Sequence, residues 1–107
     1  MKASPLLREF FTSIFQDNTP DEAIALWRYL CQGGGTSPAR ALACLEAAVA
    51  DPPEDLVEVM VECGWVVLVH HRASGEVVPF DFAEHVQWLR ETASRLRAVF
   101  AEAHRPR

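Results

Sequence analysis

Any chemistry in this 107-residue chain has to come from four histidines, three cysteines and a run of carboxylates, so their spacing is the first question. His70 and His71 are adjacent, which in an extended strand sends them to opposite faces and away from a shared metal. His71 and His85 can meet in space, but no carboxylate-plus-histidine pattern at helical spacing accompanies them. Cys31, Cys44 and Cys63 lie far apart inside apolar segments, with no paired ligands for zinc. They read as small buried hydrophobes of a reducing compartment. Ser4, Thr19 and Ser37 stand at helix starts, and none lies in a Gly-x-Ser-x-Gly setting. Gly33-Gly34-Gly35 follows a helix rather than a strand and lacks the Lys-Ser/Thr of a phosphate loop, so it reads as a linker. No nucleophile, base and oxyanion donor converge. The expectation is a protein that is not an enzyme, without catalytic, cofactor-binding or metal-binding residues.

The carboxylates are more informative. Asp51, Glu54, Asp55, Glu58 and Glu62, projected as one helix, fall within about 100° of arc, with Leu56, Val59, Met60 and Cys63 opposite. With Glu46 they make six acids between Arg40 and Arg72, an interval holding no Lys or Arg. Val57 and Val61 lie beside this acidic arc, either buried by a neighbouring hairpin or forming the apolar centre of a partner-binding patch. Asp17 and Asp21 add acids to the preceding helix junction. The formal net charge is −5, which argues against direct nucleic-acid binding because phosphate contacts need surplus Lys and Arg. It suits steering toward a basic protein. Charge is uneven: residues 1–82 hold five basic and twelve acidic side chains, residues 83–107 five and three. The basic tail, with Arg95, Arg97, Arg105 and Arg107, is expected to fold back onto the acidic helices.

Elements must place these groups. Ser4-Pro5 starts a helix with Leu6, Leu7, Phe10, Phe11, Ile14 and Phe15 on one face, and Asp17-Asn18 breaks it. Thr19-Pro20-Asp21-Glu22 is a capping box opening a second helix with Ala23, Leu26, Trp27 and Leu30 inward. Ser37-Pro38 starts a third, with Leu42, Leu45 and Val49 as its apolar stripe. Asp51-Pro52-Pro53-Glu54 ends that helix and starts a fourth, which Gly64 terminates as its C-cap. Trp65 to His70 then reads as a buried strand, residues 71–75 as a turn, and Glu76-Val77-Val78 as a returning strand ended by Pro79. Asp81 to Glu84 is a second capping box, opening the longest helix, with Phe82, Val86, Leu89, Ala93, Leu96 and Phe100 aligned. The predicted fold class is mainly α (α+β), a single domain over 1–107. It has about five helices around one core and a small antiparallel β-hairpin before the last helix, which must pack on the helices. Trp65 and Trp88 are expected in the core, with either an aromatic anchor for a partner if exposed. No apolar run reaches the ~20 residues that cross a bilayer, and Arg8-Glu9 interrupts any signal-peptide core, so the expected location is the cytoplasm with no membrane partner.

Leu7-Arg8-Glu9-Phe10-Phe11 with Phe15-Gln16-Asp17, and the late Trp88-Leu89-Arg90 with Leu96-Arg97, resemble a family of bacterial contact-dependent growth inhibition immunity proteins. Asp21-Glu22-Ala23, the helix around Leu45 and Asp55-Leu56 fall between them in comparable order, so the resemblance spans most of the chain. Asn18 stands where that family tends to carry an aromatic, and the strand around Trp65 is more pronounced. The resemblance implies a cytoplasmic antidote without catalysis that binds a basic toxin domain, commonly a nuclease acting on tRNA or DNA. Neutralisation would come from covering the toxin's active site or nucleic-acid-binding surface. Its contact surface would be Asp51, Glu54, Asp55, Glu58 and Glu62, with Val57, Val61, Asp17 and Asp21. The alternative class is another small acidic interaction module, an adaptor or regulatory subunit.

Overall fold

The computed structural model describes residues 1–33 and 37–105. Five helices and one hairpin follow in the order α1 (Pro5–Ile14), α2 (Pro20–Gln32), α3 (Ser37–Ala50), α4 (Leu56–Gly64), β1 (Val69–His71), β2 (Val77–Pro79) and α5 (Phe82–Ala103). The mainly helical class with a small antiparallel hairpin before the last helix holds.

Local chemistry sets most boundaries. The Ser4 hydroxyl accepts the Leu7 N–H at 3.2 Å with Pro5 in the first turn, which satisfies one of the donors a helix start leaves unpaired. Both capping boxes form: Thr19 with Glu22, and Asp81 with Glu84. Asp17 closes α1 with φ 66°, and Asn18 Nδ2 donates to the Ile14 carbonyl. The hairpin turn places Gly75 at φ 89°, the left-handed region that favours glycine, while Gly75 N–H bonds the Arg72 carbonyl.

One core joins all five helices. Leu7, Phe10, Phe11, Ile14 and Phe15 of the α1 region meet Trp27, Leu42, Leu45, Leu56, Val59, Met60, Leu89 and Leu96. Phe10 makes edge-on contacts with Phe11, Phe15 and Trp27. The buried Trp27 indole donates to the Leu96 carbonyl at 3.0 Å, tying α2 to the middle of α5.

Several expectations shift. In α2 the buried line is Ala23, Trp27 and Cys31, and Leu30 is exposed. The buried arc of α5 is rotated toward His85, Thr92 and Val99, which leaves Phe82 exposed. Trp88 is half-buried against Phe15, but Trp65 is not a core residue: it is 58 % exposed. Gly64 is the last helical residue of α4, and the left-handed cap falls on Trp65 at φ 54°. Packing explains the glycine: a Cβ there would stand 3.0 Å from Phe11 Cδ1 and 3.2 Å from its Cβ. The linker reading of Gly33-Gly34-Gly35 rests on Gly34 and Gly35, which lie outside the described residues, as does Arg107 of the basic tail.

Residues 65–68 lie outside the strand, beginning with the left-handed Trp65, so β1 is shorter than the apolar run suggests. Register pairs Val69 with Pro79, His70 with Val78 and His71 with Val77. Phe80 N–H bonds the Leu68 carbonyl and Arg72 N–H the Glu76 carbonyl. Narrow and wide pairs alternate in an antiparallel ladder, which makes 70/78 the intervening bonded pair and turns the Val69 and His71 amides outward. Pro79 therefore continues the strand, since its missing N–H falls at an outward position.

Candidate partner-binding surface

The acidic segment does not form one helical face. α4 begins at Leu56, so Asp51, Glu54 and Asp55 belong to the α3–α4 connection, and only Glu58 and Glu62 are helical. Two consecutive prolines and an Asp55 backbone at φ −96°, ψ 22° delay the helix start by about one turn.

Asp55 is no surface contact at all. It is 3 % exposed, accepts the Ala3 N–H at 2.7 Å and takes Arg8 Nη2 at 2.6 Å. Burial pushes its carboxyl pKa up. The amides of Ala3 and of Asp55 itself, with the charges of Arg8 and Lys2, outweigh that push and hold it below the ordinary value. Glu54 is exposed and engaged locally: it takes the Met1 ammonium at 2.7 Å, with Lys2 Nζ at 3.9 Å. The hydrogen bond from Met1 and the charges of Met1 and Lys2 lower its pKa. Glu46 pairs with Arg97 of α5, the one arginine of the basic tail in an ion pair among the described residues, and Arg97 is held above its usual range by that bond.

Three of the six acids thus meet cations from outside their own interval. Asp51, Glu58 and Glu62 have no ion-pair partner among the described residues. Two of them lie in a definite stripe. Glu58 stands three and four residues before Val61 and Glu62, these stand four and three before Trp65, and all four are exposed. Leu56, Val59 and Met60 occupy the opposite side and are fully buried against α1 and α5, with Cys63 half-buried beside them. Val57 is half-buried at the flank. The hairpin does not cover Val61, because α4 packs on α1 and α5 and not on either strand.

Trp65 extends the stripe past the helix end. Its N–H bonds the Val61 carbonyl at 3.1 Å and Val66 N–H bonds the Met60 carbonyl at 2.9 Å, which fixes the turn. A left-handed backbone costs a residue with a Cβ about 1–2 kcal/mol. Here that conformation presents a large aromatic ring to solvent at the end of the helix that carries the two uncompensated carboxylates. Val67, 67 % exposed, continues the apolar surface along the chain. Composition alone gives no reason to expect Trp65 outside; the glycine before it is the only signal that the chain turns sharply there.

Asp17 and Asp21 are exposed at the α1–α2 junction, on a different connection from the stripe.

The histidines serve local structure. His70 pairs with Glu84 and stacks on Phe80 with ring centroids 4.5 Å apart. The main-chain N–H of Asp81 lowers the Glu84 pKa, with His70 and His85 adding to the effect. His85 and His104 donate from Nδ1 to the Asp81 and Phe100 carbonyls. No group of three His, Cys, Asp or Glu side chains gathers around a metal-sized space among the described residues. Cys31 is buried, and burial pushes its thiol pKa up, away from the reactive thiolate. A groove of about 630 Å³ runs between α1, α2 and α3, floored by Phe10, Ile14 and Trp27, with Glu9 and Arg40 in its lining. No helix is long and apolar enough to cross a membrane among the described residues.

Comparison with protein-family models, curated proteins and solved structures finds no match to this chain.

Proposed function

We propose that this protein is a cytoplasmic immunity protein that binds a basic toxin domain, a nuclease, and neutralises it by covering its active site or nucleic-acid-binding surface. The observation that carries the reading is the exposed stripe of Glu58, Val61, Glu62 and Trp65, two uncompensated carboxylates around an apolar centre. A nuclease presents positive charge to phosphates, so carboxylates on an inhibitor compete for the same field. An aromatic ring amid charges suits the centre of such an interface, where Trp is enriched among the residues that dominate binding. Asp51 lies on the connection leading into α4 and adds to the field. Glu54 contributes less because Met1 and Lys2 already face it, and Asp55 contributes by holding the N-terminal segment in place. No step in this mechanism needs catalysis or a cofactor.

The test pairs the protein with the basic toxin domain encoded upstream of its gene. Charge reversal at Glu58 and Glu62 (E58K/E62K) leaves the fold intact, because both side chains are exposed. It should weaken binding at least tenfold and remove protection against the toxin. Trp65→Ala should do the same without changing the salt dependence. Unchanged affinity in both folded variants would eliminate the stripe as the contact surface. Absence of any toxin-like gene nearby would favour an adaptor instead.

A further inference from the structure

We infer that the outer edge of β1 is a docking site for an extended, basic segment of a protein partner, which adds as a third strand beside Val69 and His71. This rests on the proposed function only in taking the partner to be basic. A two-stranded sheet has two edges, and here they are unequal. On β2 the outward positions are Val77 and Pro79, and Pro79 has no N–H to offer, so that edge is blunted for strand pairing. On β1 the outward positions are Val69 and His71, both with amide donors that turn away from β2. No helix backbone lies against β1, which meets α5 only through the His70–Glu84 pair among the described residues, and neither the Val69 nor the His71 amide donates to a side chain or to another backbone carbonyl among them.

An unprotected edge is a liability that proteins usually blunt with lysine, proline or a covering element. β1 has none of these. Its sequence neighbours Val67 and Leu68 are apolar, and the face that carries Val69 and His71 continues across the hairpin in Pro79 and Val77. An added strand with alternating apolar side chains would extend that face. Net charge selects the occupant: two copies of a chain at −5 repel, whereas a basic segment is attracted, and the uncompensated Glu58 and Glu62 stand on α4, the element that precedes β1 in the chain.

The experiment is amide hydrogen exchange by NMR on the full chain, titrated with a synthetic peptide of alternating lysine and valine. Binding at the edge should slow exchange at Val69 and His71 by about tenfold or more, with little change at His70, already laddered to Val78. Val69→Pro, which removes only an outward N–H, should abolish that protection, and Val69→Ala should keep it. If V69P fails to fold, the wild-type exchange pattern still decides. Unchanged exchange at Val69 and His71 with saturating peptide overturns the proposal. Shift changes confined to Glu58, Val61 and Glu62 would overturn it while leaving the acidic stripe intact; protection at the edge without them would do the reverse. Slowed exchange in concentrated protein without peptide would make a second copy the occupant, which also overturns it.

Discussion

Three residues show how single side chains set this structure. Asp55 is the clearest, because its sequence context is that of a surface acid and its environment is that of a buried anchor. Its folded pKa lies below the unfolded one, so its contribution to stability is complete above the unfolded value of about 4 and is lost as pH falls through the folded value. Asp55→Asn should therefore lower the urea midpoint at pH 7, and the gap to wild type should close on acidification below pH of about 4. Gly64 needs its missing side chain for close approach rather than for a positive φ. Phe11, fully buried, is hemmed in by Phe10 and Phe15 and cannot yield to a new methyl group. Gly64→Ala should cost about 1 kcal/mol by urea titration, overpacking of 1–3 kcal/mol being partly offset by the better helix propensity. Trp27→Phe removes the indole donor and part of a buried ring while the Leu96 carbonyl keeps its bond within α5, and should cost roughly 1–3 kcal/mol.

At the scale of elements, α4 is the part that faces two ways. Its inner side completes the core, while its outer side stays charged and ends in a strained aromatic cap. Trp65→Gly separates the two roles. Glycine removes the left-handed penalty, so thermal stability should hold within about 0.5 kcal/mol or rise, while affinity for the toxin domain falls at least tenfold. A large loss of stability would mean that the half of the ring in contact with the protein matters more than its backbone. The hairpin shows a different economy. Its strands touch no helix backbone, and Phe80 and the His70–Glu84 pair fasten it to the start of α5. Glu84 also closes the α5 capping box, so one carboxylate holds both a helix start and a strand. Glu84→Gln should loosen the hairpin first, seen as faster exchange of the His70 and Val78 amides before any change in α5.

For the whole molecule, the packing of α1 on α4 and of α5 on α3 brings the charged interval into contact with cations far away in sequence. Arg8, Lys2 and Arg97 neutralise half of the acids that stand together between Arg40 and Arg72. The surviving field is carried by Asp51, Glu58 and Glu62. Binding to a basic partner should consequently weaken with ionic strength, and E58K/E62K should flatten that dependence, measured as dissociation constants between low and high salt. Stability in the same salt range should barely move, because exposed pairs such as Glu46–Arg97 contribute little.

Helix starts other than that of α4, the hairpin and the helical class were legible in the chain itself, because capping boxes, proline positions and apolar spacing act over three or four residues. Ser4, Thr19 and Asp81 cap where their neighbours require, and the apolar lines of α1 and α3 need no distant information. Which acids remain free was not legible, since charge compensation depends on residues 47 to 53 positions away. The outward placement of Trp65 was likewise a tertiary outcome. Phe11 fills the space beside Gly64, the chain must leave α4 through a left-handed residue, and that turn carries the ring into solvent. Local interactions wrote the elements into the sequence; packing between remote segments decided which surface they leave open.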